Sequence, residues 1–137
     1  MEAQASNGND AIRVVVASDN RLYRDALERA FHETDTLLLI GTAAGAAETL
    51  ENVARLTPDI ILLDMAMEDA FAVARQLPRI SLRTRIVALG MPEAEAEIIA
   101  CAEVGIAGYV PRGGSLSDAF EKDVFEGIVR QALLVLT

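Results

Sequence analysis

The sequence predicts an α/β chain in which helices wind both faces of a five-stranded parallel sheet, a three-layer α/β/α arrangement. Three observations predict it. Five short apolar runs alternate with segments of helical period, the pattern of successive βα units. Asp19 and Asp64 each close such a run, so charge stands where buried chain emerges, at the strand ends where open parallel sheets bind ligands. The 137 residues, 52% of them hydrophobic, suit one domain with one sizeable core.

The elements follow in order. Residues 1–11 have neither a basic start nor an apolar core and read as a flexible lead-in. Strand one reads Ile12 to Ala17. The helix after it carries Leu22, Tyr23, Ala26, Leu27, Ala30 and Phe31 on one face, with Asp19 or Asn20 as its cap. Strand two reads Leu37 to Gly41. Helix two, roughly Ala46 to Leu56, stops near Thr57 because Pro58 disfavours helical geometry in the residue before it. Strand three, Ile60 to Leu63, follows at once. Helix three, Asp69 to Leu77, is expected to end before Pro78. After strand four, Arg85 to Leu89, a helix begins near Pro92, carries Glu93, Glu95 and Glu97 at its dipole-positive end and stops at Gly105. Strand five reads Ala107 to Val110. Ser115 and Asp118 then stand in capping-box spacing, and Leu116, Phe120, Val124 and Ile128 form the stripe of a fifth helix. That gives a domain over 12–133, with 134–137 as a tail or the start of a linker.

Charge and cysteine usage exclude several function classes. A formal charge of −9 repels a phosphate backbone, so direct nucleic-acid binding is not expected of this stretch. The single cysteine, Cys101, excludes an internal disulfide and fits a reducing compartment, so a cytoplasmic location is expected. Cys101 reads as a small core residue and His32 as a polar helix end. No apolar run reaches membrane-spanning length, and no membrane partner is expected.

With right-handed crossovers, the carboxyl ends of strands one, three, four and five gather on one edge, bringing Ser18, Asp19, Asp64, Gly90 and Arg112 together. A hard cation such as Mg²⁺ takes oxygen donors, which Asp19, Asp64 and a carbonyl just after Asp64 can supply. An aspartate can also attack phosphorus and form an acyl phosphate, whose charge a metal and a nearby cation would hold. Arg112 is the candidate cation.

At these residues the chain resembles the receiver domain of two-component response regulators, in the style of receivers that precede a helix-turn-helix output domain. The resemblance runs from about Ile12 to Leu133. It rests on strand one with Ala17, Ser18, Asp19 and Asn20, on the run from Pro58 to Asp64, and on the run from Ala102 to Val110. It implies a flavodoxin-like (βα)5 fold, Asp64 as phosphoacceptor, Asp19 as a metal-binding acid, the Ala66 carbonyl as a ligand and Tyr109 as the aromatic that reports activation. It also implies Mg²⁺, which a departure at Ser18 would leave weakly bound, and a sensor histidine kinase or phosphotransfer protein as partner. It implies a phosphate acceptor that is not an enzyme in its own right.

The chain departs from that family at its site. The first of two adjacent acids is Ser18, which removes a charge from the metal site. The hydroxyl residue closing strand four is Gly90, and no serine or threonine lies between Arg85 and Ala100. The family's lysine is Arg112, whose planar fork reaches phosphate differently. The methionine-proline turn after Asp64 is replaced by Met65, Ala66, Met67, Glu68 and Asp69.

Two functions therefore compete. One is a working receiver that takes a phosphoryl group on Asp64 and signals through the face of helix four, strand five and helix five. The other is an atypical receiver that acts without phosphate as a protein-interaction or dimerisation module. A homodimer and a DNA-binding output domain beyond this chain remain open as partners. Gly90→Thr is expected to strengthen coupling between the site and Tyr109. A nucleotide-using enzyme is disfavoured, because Ala17 to Arg21 contains no glycine to admit a pyrophosphate.

Overall fold

The computed structural model describes residues 11–32, 35–91 and 95–111. Among them, β1 (Ile12–Ala17) lies between β2 (Leu37–Ala43) and β3 (Ile60–Asp64). β4 (Arg85–Met91) and β5 (Gly108–Pro111) follow beyond β3, giving the order β2-β1-β3-β4-β5, parallel at every pairing. The chain leaves β1 towards one edge and returns to build towards the other. The direction of winding therefore reverses between β1 and β3, and their carboxyl ends flank the crevice where doubly wound sheets bind ligands.

Four helices connect the described strands: α1 (Arg21–Phe31), α2 (Ala46–Leu56), α3 (Ala70–Ile80) and α4 (Glu95–Glu103). Strand alternation divides the core in two. Val14, Val16, Ile60, Leu62, Val87 and Leu89 pack with Leu27 and Phe31 of α1. Val15, Ala17, Ile61, Leu63 and Ile86 pack on the other face, against Val53 of α2 and Ala70, Val73, Ala74 and Leu77 of α3. Ala88 meets Cys101 of α4, so the cysteine is a core residue as expected. Burial on both faces explains why β1 and β3 are nearly unbroken apolar runs.

Several boundaries differ from the sequence expectation. β2 runs two residues further, to Ala43: the ladder slips between Val14 and Val15, resumes with Val15 opposite Gly41 and continues to Ala17 opposite Ala43. Gly41 lies just past the slip, where a Cβ would come within 3.0 Å of Leu56 Cδ1, so the glycine admits the end of α2. α3 continues through Pro78 to Ile80, and Ser81 N–H closes it on the Leu77 carbonyl at 2.9 Å. Proline forfeits one helical bond in that last turn, while the buried stripe Ala70, Val73, Ala74 and Leu77 holds the axis. β3 includes Asp64, β4 reaches Met91 and β5 is Gly108–Pro111. The expected fifth helix and the tail lie outside the described residues.

The amino ends of the strands are tied together. Arg13 N–H donates to Asp59 Oδ2 at 2.9 Å, and its guanidinium donates to the Leu56 and Thr57 carbonyls at 2.7 and 2.9 Å. Arg83 pairs with Asp59. Thr84 Oγ1 donates to the Pro58 carbonyl at 2.7 Å.

Candidate functional site

At the opposite edge the chain leaves β1 through Ser18, whose N–H extends the ladder to the Ala43 carbonyl at 3.0 Å. Ser18 is fully buried, and its hydroxyl donates to Asp64 Oδ2 at 2.7 Å. The Ser18 hydroxyl oxygen accepts Asn20 N–H at 3.1 Å, while the Ser18 carbonyl accepts Arg24 Nη1 at 2.7 Å. Ser18 thus joins the end of β1, the end of β3 and the first turns of α1.

Asp64 closes β3 with 6% of its surface exposed. Its second oxygen, Oδ1, accepts Ala66 N–H at 2.9 Å, and its carbonyl accepts Met67 N–H at 3.0 Å. Met65 N–H reaches across to the Leu89 carbonyl at 3.2 Å. A buried carboxylate needs such donors, and Asp64 has one on each oxygen. This pair of donors fixes the plane of the carboxylate.

Asn20, not Asp19, caps α1: its Oδ1 accepts Tyr23 N–H at 3.1 Å. Asp19 is therefore not consumed as a cap and stands exposed on the rim beside Ser18. Gly90 follows Leu89, which pairs with Asp64 across the β3–β4 ladder, at a point where the β4–β5 register is irregular. Its φ of +67° is the left-handed region that side chains rarely adopt. A β-branched residue is strained at such a φ, so Gly90→Thr carries a backbone cost alongside the coupling expected of it. A Cβ on Gly90 would stand 3.9 Å from the Tyr23 hydroxyl oxygen.

The sequence expectation of a shared edge is met by Ser18, Asp19, Asp64 and Gly90. Ala66 sits two residues past Asp64 and turns its N–H onto the carboxylate. Tyr109 lies on β5 opposite Ala88, with its side chain outside the described residues. Arg112 also lies outside them. Sequence reasoning missed Tyr23 and Arg24. The only signal for them is their place in the first two turns after a strand-end site.

Among the described residues no three His, Cys, Asp or Glu side chains are grouped to hold a metal. The chemistry of the set nevertheless fits a hard cation: carboxylates at Asp19 and Asp64, and a carbonyl at Ala66. Ser18 supplies a hydroxyl where a third carboxylate would add charge, so affinity is expected to be low.

The chain matches the family model of the response regulator receiver domain over residues 14–121. It is 33% identical over 115 residues to protein-glutamate methylesterase/protein-glutamine glutaminase 6 of Anaeromyxobacter dehalogenans, covering 81% of this chain and 33% of that protein. It is 26% identical over 122 residues to the probable transcriptional regulatory protein NarL of Mycobacterium tuberculosis, covering 88% of this chain and 54% of that one. The chain thus spans a third to about half of these relatives. Among solved structures, the response regulator domain of Thermotoga maritima CheB superposes with a TM-score of 0.79 at 21% identity, over 93% of this chain and 99% of that one. The receiver domain of the putative response regulator NarL from M. tuberculosis gives 0.74 at 26% identity, over 87% and 97%.

Proposed function

The chain belongs to the response regulator receiver domain family and is a signalling domain of two-component systems, and from that premise we propose that Asp64 accepts a phosphoryl group from a sensor histidine kinase or phosphotransfer protein. One observation carries this reading. Asp64 is a buried carboxylate at the reversal of the sheet, held in a fixed plane by Ser18 Oγ on one oxygen and Ala66 N–H on the other. In the transfer, a carboxylate oxygen forms the new P–O bond as the P–N bond of a phosphohistidine breaks, and the imidazole nitrogen leaves with the electron pair. The donors now on Asp64 are placed to hold the acyl carbonyl oxygen or the incoming phosphoryl oxygens. Mg²⁺, held by Asp19, Asp64 and the Ala66 carbonyl, would supply positive charge against the phosphoryl group. Arg112 is the further cation of this reading, and Tyr109 with the helix four, strand five and helix five face carries the output. The domain acts as an acceptor, without a catalytic cycle of its own.

A second reading has its own support. Ser18 and Ala66 together give each Asp64 oxygen a donor from within the chain, and Gly90 offers no side chain, which supports a phosphate-independent interaction or dimerisation module. The two readings separate on intact mass after incubation with Mg²⁺ and a small acyl phosphate. A single phosphoryl adduct that disappears in Asp64→Asn is the expected result. A folded chain that takes no adduct overturns the acceptor reading in favour of the interaction module.

A further inference from the structure

Asp64 and its two donors do not exhaust the polar groups at this edge. The first two turns of α1 lie over it, anchored by the Asn20 cap on Tyr23 N–H and by Arg24 on the Ser18 carbonyl at 2.7 Å. The Tyr23 ring packs against the core cluster that contains Val14, Val16 and Leu89. Its hydroxyl oxygen lies 3.9 Å from the point where a Cβ on Gly90 would stand. Leu89, the residue before Gly90, is the ladder partner of Asp64. The hydroxyl thus stands by Gly90, one residue past the ladder partner of Asp64, where β4 carries no side chain. A tyrosine suits that place because its body is apolar and its tip polar.

We propose that the Tyr23 phenol donates a hydrogen bond to an oxygen of the phosphoryl group on Asp64, supplying from α1 the hydroxyl that Gly90 does not supply from β4. The inference rests on Asp64 being the phosphoacceptor. A phosphoryl group brings three strongly accepting oxygens, more than Ser18 and Ala66 can serve. A phenolic O–H donor to an anionic oxygen makes a short, charge-assisted bond. Tyr23 binds and positions; no bond to it forms or breaks.

The test uses the full chain labelled with 3-fluorotyrosine. Two tyrosines give two fluorine resonances, and Tyr23→Phe assigns them. Adduct formation with Mg²⁺ and a small acyl phosphate is followed by intact mass in parallel, with Asp64→Asn as control. The expected result is a shifted Tyr23 resonance in the adduct and, in Tyr23→Phe, adduct formation slowed about tenfold at near-native melting temperature. Native adduct chemistry in Tyr23→Phe overturns the proposal while leaving Asp64 as acceptor. Slowing without a resonance shift assigns Tyr23 a packing role only and also overturns it. If the native chain takes no adduct, the acceptor reading fails and this inference fails with it.

Discussion

Ser18 carries two opposed consequences for the site. Its hydroxyl stabilises the buried Asp64 carboxylate, yet it stands where a second acid would strengthen cation binding. Ser18→Ala leaves Asp64 Oδ2 without its donor and is expected to cost about 1–3 kcal/mol, read by urea denaturation. Ser18→Asp instead sets a second carboxylate against Asp64. The expected outcome is a lower melting temperature without metal and a Mg²⁺-dependent rise larger than that of the native chain. Asp64 and Asp19 were legible in the sequence because charge closing an apolar run marks a strand end. The Ser18–Asp64 bond was not, because 46 residues separate the partners and only the fold brings them together. Tyr23 was hidden for the same reason: helical period reports which face of α1 is apolar, not what the tip of a tyrosine reaches.

Among the elements, α1 does more than cover the sheet, since its first turns hold the Asn20 cap, Tyr23 and Arg24. Asn20→Ala removes the acceptor for Tyr23 N–H and is expected to destabilise the chain by about 1 kcal/mol, measured by thermal or chemical unfolding. The core of each helix was readable from its apolar period, and α2 ended where Pro58 required. α3 overran its expected end because burial of Val73, Ala74 and Leu77 outweighs the bias that Pro78 imposes on its neighbour. β2 outran its expected end past a register slip, for which an apolar run contains no signal.

For the molecule as a whole, the fold class and strand count followed from alternating periods, and the sheet order follows the pattern of doubly wound folds. What remained hidden is the set of ties at the amino ends of the strands, made by Arg13, Asp59, Arg83 and Thr84. Asp59→Ala removes the acceptor of Arg13 N–H and the partner of Arg83. It is expected to lower global stability by about 1–3 kcal/mol while leaving the rate of adduct formation at Asp64 unchanged, checked by denaturation alongside intact mass. Those ties have a consequence for how such a domain can diverge. Because Arg13, Asp59, Arg83 and Thr84 tie the strands at the edge remote from Asp64, side chains around Asp64 can be exchanged while those ties persist. A lineage, or a designer, can therefore retune the chemistry of one edge while inheriting the scaffold from the other.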